Sequence, residues 1–181
     1  MAGALHSGQF TAEEALRLNP PGTWELVDGR FVFMSPAGAR HGRMVARISR
    51  ALCDAVERRG LGVVLAGDAG FVLRRGPDVV RAPDVAFVRA SRITAELPAE
   101  FIVGPPDIAV EVMSPGDRWP EVERKASEFI VAGATAVWVI DLERKLARII
   151  TRQGHRVLAP DDALTCPELL GDTALRVAHL W

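Results

Sequence analysis

One stretch limits the fold of this chain more than any other: "DIAVEVM", residues 107–113. It is too apolar to lie in solvent, and with prolines on either side it reads as a buried strand. Yet Glu111 stands in the middle of it. Burying an unpaired carboxylate costs several kcal/mol or more, so a cation, a partner side chain or water must offset that cost. Side chains alternate along a strand, which puts Asp107, Ala109, Glu111 and Met113 on one side and leaves Ile108, Val110 and Val112 as a continuous apolar face on the other. Glu111 is expected to point away from that face.

The theme also occurs upstream in "APDVAFV", residues 82–88, with Asp84 at the mouth of the strand. If the two strands are neighbours, Asp84 and Glu111 reach one region. Two carboxylates from adjacent strands, completed by a backbone carbonyl and waters, are what a hard oxygen-seeking ion such as Mg²⁺, or Mn²⁺ in its place, accepts. The alternative is structural, with Asp84 as a turn residue and Glu111 as half of an ion pair.

At 181 residues and 49% hydrophobic, the chain is expected to form one domain, residues 1–181, with a sizeable core. Cys53 and Cys166 have no metal-ligand spacing and build no disulfide framework, which suits a reducing cytoplasm. The opening "MAGALHSGQFTAEEALRL" lacks a basic start and a long apolar run, and no segment approaches the roughly 18 apolar residues of a membrane span. A soluble, cytoplasmic protein is expected. A net charge of -1 excludes a strongly electrostatic nucleic-acid binder, so any such binding must come from local patches.

"TAEEALRL" opens with a Thr11–Glu14 capping box. "WELVDGRFVFM" predicts two strands around an Asp-Gly turn. Met44, Ile48, Ala51, Leu52 and Ala55 recur at helical spacing over residues 39–59, and Gly60 supplies a stop. Short strands follow near "GVVLAG", "AGFVLRR", "DVAFVRA" and "DIAVEVM". Pro120 then suits the first turn of a helix ending before Gly133, followed by strands at "TAVWVID", "KLARIIT", "RVLA" and "ALRVAHLW". The order predicts an α/β fold with a mixed central β-sheet flanked by helices.

Of 22 basic residues all but Lys125 and Lys145 are arginine. Lys125 lies beside the expected core stripe Val122, Ala126 and Phe129 of its helix, so its ammonium should run along the core boundary toward a carboxylate such as Glu111. A stem lying on apolar surface, or a pair with Glu121, would be the plainer outcome.

"WELVDGR", "APDVAFV", "PPDIAVEVMSP", "ERKASEFIVAG" and "AVWVID", in this order across residues 24–141, resemble the Uma-two family of restriction-endonuclease-like proteins, within the PD-(D/E)XK nuclease superfamily. The resemblance implies a restriction-endonuclease-like core with a four-stranded mixed sheet, and metal-dependent hydrolysis of nucleic-acid phosphodiesters. It puts Asp84 and Glu111 in the place of the two metal-holding acids and Glu25 in the place of an early glutamate that completes the cluster. Met113 stands where the superfamily pattern has lysine. The family commonly carries a lysine on the following helix instead, in a pattern similar to Glu121-x-x-x-Lys125-x-x-x-Phe129, so Lys125 supplies the displaced ammonium. Phe129 replaces an aromatic that is often tyrosine.

Arg40, Arg43, Arg47 and Arg50 form a basic stripe opposite the apolar face of the first long helix, suited to a phosphate backbone or else simply solvated. Arg74, Arg75 and Arg81 are candidate additions. His41 matches a family histidine placed to meet phosphate, or to cap or pack, whereas His6, His155 and His179 show no pattern. The resulting expectation is a Mg²⁺-dependent endonuclease acting on nucleic acid, DNA first, with a homodimer compatible with that reading. Its rivals are a catalytically inactive nucleic-acid-binding or assembly module and a hydrolase of small phosphate esters.

Overall fold

The computed structural model describes residues 8–93 and 96–181, so His6 lies outside the described residues. Helix α1 (Ala12–Leu18) starts on the expected capping box, with the Thr11 side chain accepting from the Glu14 amide and Glu14 accepting from the Thr11 amide. Strands β1 (Thr23–Val27) and β2 (Arg30–Met34) form the expected hairpin. Its turn places Asp28 at φ 52° and Gly29 at φ 72°, the left-handed pair that a two-residue connection requires. Helix α2 (Ala39–Val56) tightens into a 3₁₀ turn and stops at Gly60.

Strands β3 (Gly62–Ala66), β4 (Phe71–Arg74), β5 (Val79–Arg81), β6 (Val85–Arg89), β7 (Ile102–Val103) and β8 (Ile108–Met113) precede helix α3 (Trp119–Ala132). Pro120 sits in the first turn of α3, and Gly133 ends it at φ 119°. Strands β9 (Ala136–Asp141), β10 (Leu146–Thr151), β11 (Gly154–Leu158) and β12 (Ala163–Thr165), the short helix α4 (Pro167–Leu170) and strand β13 (Ala174–Arg176) complete the order.

A six-stranded sheet runs β11-β10-β9-β8-β6-β3. It is mixed as expected, because β8 lies antiparallel to β6 and parallel to β9. A second sheet, β2-β1-β5-β4-β7, packs alongside α1, and β12 pairs with β13. The second sheet is not visible in the hydrophobic pattern because β5 and β7 are too short to show a period. In "ALRVAHLW" only Ala174–Arg176 is strand, and Val177–His179 forms a 3₁₀ turn.

Both faces of the six-stranded sheet are covered. Met44, Ile48, Leu52 and Val56 of α2 pack on Ile108, Val110, Val112, Trp138 and Ile140. On the other face Ala126, Phe129 and Ile130 of α3 cover Ala109, Met113, Val137 and Val139. Glu111 does point away from the continuous apolar face, but it points into a second apolar layer rather than toward open water. Side chains of this size contribute roughly 1.5–3 kcal/mol each when fully buried, so the two layers can carry one charged site between them. Among the described residues no helix is long and apolar enough to cross a membrane.

Candidate active site

Strand register builds the site. Val85 pairs with Val110 and Ala86 with Ala109, which brings Asp84, one residue before that ladder, level with Glu111. Asp84 is fixed from two sides: Oδ2 accepts from the Val112 amide at 2.6 Å, and Oδ1 lies 3.2 Å from His41 Nε2. His41 comes from the first turn of α2, so that helix reaches the site with its beginning. The hydrogen bond to the Asp84 carboxylate, countered in part by burial, raises the His41 pKa.

Lys125 arrives from α3 on the opposite face. Its Nζ donates to Glu111 Oε2 at 2.9 Å, stands 2.9 Å from Glu111 Oε1 without hydrogen-bond geometry, and reaches Glu25 Oε1 at 2.9 Å and the Ala82 carbonyl at 3.3 Å. Glu111 Oε1 is thus buried with no hydrogen-bond partner. The pair expected between Lys125 and Glu111 is formed, and the alternative with Glu121 is not; Glu121 pairs with Arg118.

Glu25 reaches the site only through Lys125. It is buried, with Oε1 accepting from the Ala82 amide at 2.9 Å and Oε2 bound by Arg81 Nη1 at 2.5 Å. Arg81 in turn gives Nε to Glu128 at 2.6 Å, and Glu128 holds Arg124 at 2.8 Å. Charges alternate from Arg124 on the outside to Glu111 on the inside. Glu25 thus holds Lys125, with Oε1 met by the Ala82 amide and Lys125 and Oε2 by Arg81.

The network leaves one group short. Burial pushes the Glu25 carboxyl up, but Lys125, Arg81 and the Ala82 amide outweigh this and hold it below the usual range. Burial would strip the Lys125 proton, yet the carboxylates of Glu111 and Glu25 hold it firmly in place. Arg81 also serves Glu25, so among the described residues Lys125 is the one cation in contact with Glu111, and it is shared. The deficit falls on Glu111, which burial, helped by the Asp84 and Glu25 charges, pushes up to about 8 against the pull of Lys125.

Met113 faces Ala126 and Phe129 in the apolar layer under α3, which explains why no lysine stands there. An ammonium at that position would be surrounded by aliphatic and aromatic carbon. The α3 route delivers the charge instead, and α3 is anchored for the purpose: Arg148 of β10 stacks 3.8 Å over the Trp119 ring and pairs with Glu123.

The arginines divide. Arg40, Arg43 and Arg50 are exposed along α2, whereas Arg47 is half-buried and donates to the Leu180 and Trp181 carbonyls at 2.8 and 2.6 Å. Arg81 cannot meet a phosphate, since it is 3% exposed within the network above. Arg74 is paired with Asp28, and Arg75 with Glu13 and Asp78, so these two are committed as well. The sequence reading missed Arg81 and Glu128 as members of the site. Locally they show only as an arginine closing the apolar pair Val79-Val80 and a glutamate one helical turn beyond Lys125, and neither trait gives their pairing.

A family model described as "Uma2: Putative restriction endonuclease" matches residues 12–178. Among solved structures the chain is similar to a protein from Anabaena variabilis ATCC 29413 titled a putative nuclease belonging to DUF820, with a TM-score of 0.82 and 19% identity over 94% of this chain and 97% of that one. At that identity the likeness shows the fold. No curated protein matches. With the expected motifs standing in the expected fold, and a family match that takes in nearly the whole chain, this protein belongs to the Uma2 family.

Proposed function

We propose that the protein is a metal-dependent endonuclease that hydrolyses phosphodiester bonds of nucleic acid, with DNA as the first expected substrate. The observation that carries this reading is the pair of carboxylates that strand register brings level, Asp84 and Glu111, with Glu111 Oε1 buried, without a hydrogen bond, and 2.9 Å from the one ammonium that Glu25 shares. Among the described residues no group of three His, Cys, Asp or Glu side chains stands in metal-holding arrangement. That fits Mg²⁺ nonetheless, because this ion commonly takes one or two carboxylates and keeps several waters. Asp84 and Glu111 would hold it with hard oxygens alone, Mn²⁺ being accepted in the same way. When bound, the ion would supply charge neutralisation to the phosphate and acidify water for attack.

The chain's own residues prepare that chemistry. His41 and the Val112 amide fix the Asp84 carboxylate while each oxygen keeps a lone pair. Lys125 places a permanent positive charge beside Glu111, and its longest contact, to the Ala82 carbonyl, is the donor most readily turned to a phosphate oxygen. Glu25 and Arg81 keep that ammonium from swinging away. Apolar layers on both faces keep bulk water out and strengthen each of these interactions.

The test is cleavage of a panel of duplex and single-stranded DNA and RNA, with free nucleotides as a further arm, in Mg²⁺, Mn²⁺ or EDTA. Metal-dependent cleavage of a polynucleotide that is lost in Asp84→Ala and Glu111→Ala is expected. Binding without turnover would identify an inactive binding module, and hydrolysis of nucleotides alone would identify a small phosphoesterase.

A further inference from the structure

Arginine is spent mostly inside this protein. Arg59, Arg81, Arg89, Arg92 and Arg148 hold carboxylates or carbonyls of other segments, as do Arg74 and Arg75, and Arg124 and Arg144 pair with acids nearby in the chain. A chain that pairs its arginines so consistently makes the unpaired ones informative. Among the described residues Arg17, Arg30 and Arg152 are exposed without an acidic or carbonyl partner but lie on other elements, whereas Arg40, Arg43, Arg50 and Arg176, exposed and without such a partner too, gather at α2 and β13. Three of them lie on α2, and Arg176 faces them from the strand β13.

Between α2 and residues 173–181 runs an open cleft of about 880 Å³. Arg43 and Arg50 form one wall, and Arg176 and His179 the other. Ala46, Ala51, Ala55 and Ala174 line it too, with the buried Leu175 and Leu180, and Arg47 ties the two sides together by donating to the Leu180 and Trp181 carbonyls. Asp54 is the one acid in the lining, and it pairs with Arg58. On a chain of net charge -1, this is a marked local excess of positive charge. No Phe, Trp or Tyr lines the cleft, so it offers no platform on which unpaired bases could stack. The α2 stripe from Arg40 to Arg50 covers about 15 Å along the helix, a span of several phosphates. At its start stands His41, in contact with Asp84.

We infer that this cleft is the docking track for the sugar-phosphate backbone of duplex DNA, held by Arg43, Arg50, Arg176 and His179 and leading to the Asp84 end of α2. The inference extends the endonuclease reading and names how its substrate is held. Arg43, Arg50 and Arg176 contribute affinity without base specificity, because phosphate contacts fix position and carry no sequence information.

The experiment is fluorescence anisotropy of a labelled 24-base-pair duplex in EDTA, across a salt series, so that binding is read with no cleavage. The triple variant Arg43→Gln/Arg50→Gln/Arg176→Gln is compared with the control triple Arg17→Gln/Arg30→Gln/Arg152→Gln, which removes the same charge from exposed arginines elsewhere. With about 0.9 of log-log slope per phosphate contact, the cleft triple should flatten the salt dependence by about 2.7 and weaken binding at low salt at least tenfold. The control triple should keep the wild-type slope. Circular dichroism melts establish that both triples fold. Equal losses in the two triples would overturn the inference as a mere effect of net charge, and so would tighter binding of single-stranded DNA or of an RNA duplex. Cleavage of DNA by wild type alongside an unchanged slope in the cleft triple would sink the cleft and spare the endonuclease. Slope loss in the cleft triple with no cleavage under any metal would do the reverse.

Discussion

At the entrance to β8 Asp107 is buried, with Oδ1 bound by Arg89 Nε at 2.5 Å and Oδ2 by the Arg89 amide at 2.9 Å and Arg92 at 3.2 Å. Four residues along the same side of the same segment, Glu111 is buried with one oxygen bonded to Lys125 and the other left without a hydrogen bond. The two acids share a strand side, a sheet face and a chemical type. They differ in the positive charge around them: two arginines and an amide meet Asp107, whereas among the described residues the cation in contact with Glu111 is Lys125 alone, which Glu25 shares. Asp141, at the end of the neighbouring β9, is likewise met by several donors, and there the Arg144 and Glu143 amides and the Arg144 guanidinium outweigh burial and hold the Asp141 carboxyl below the usual range. Burial alone therefore does not set the buried acids apart. The degree to which each charge is compensated does.

The largest expected effect separates charge from shape at Lys125. Guanidinium is planar and bulkier than ammonium, and the slot between Glu111, Glu25 and the Ala82 carbonyl is filled by a single nitrogen. Lys125→Arg and Lys125→Ala should each lower the cleavage rate on the order of 10²- to 10³-fold. Only the alanine variant should also expose a melting defect, because Glu111 loses its one contacting cation and Glu25 one of its two. An arginine variant with wild-type turnover would reduce Lys125 to a structural tie and erase the contrast with Arg89 and Arg92.

Next in size is the exchange of fates between the two acids. Asp107→Ala strands the Arg89 amide and two guanidinium groups, and should cost about 2–3 kcal/mol, less than a fully buried pair because Arg89 and Arg92 keep part of their solvent. Its cleavage rate per folded molecule should not change. Glu111→Gln should melt no lower than wild type in EDTA while losing cleavage. Urea melts and rates on the same two preparations decide this, and a destabilised Glu111→Gln would place both acids in one structural class.

Much of this was legible from the chain alone. The alternation in "DIAVEVM", the missing lysine at Met113 and the place of Lys125 beside its helix's apolar stripe led to the Asp84–Glu111–Lys125 cluster, since strand and helix periods fix which side chains share a face. The capping box of α1 and the Asp-Gly hairpin were equally plain. Arg81 and Glu128 were not, because their pairing joins β5 to α3 across the two sheets and no local period encodes it. The role of Asp107 was hidden for the same reason. A strand pattern says that an acid is buried, and only the fold says how many donors meet it.

The smallest expected effect is the pH response of the metal-free protein. Glu111 binds its proton more tightly folded than unfolded, so the folded state holds the extra proton between the ordinary value of 4.5 and about 8. Stability in EDTA should fall as pH rises through that window, by roughly 2 kcal/mol from pH 6 to 8. Glu111→Gln should remove this slope, and Asp107→Asn should leave it. Melting temperatures across the window that are the same in wild type and Glu111→Gln would mean that Lys125 compensates Glu111 completely.

The central claim is that Glu111 lacks a cation that Asp107 does not need. Anomalous diffraction from crystals soaked in Mn²⁺ tests it most directly. A single strong peak within bonding distance of both Asp84 and Glu111, absent in Glu111→Gln and with none at Asp107, is the predicted result. A protein that binds Mn²⁺ elsewhere, or nowhere, while Lys125 stays on Glu111 would contradict it.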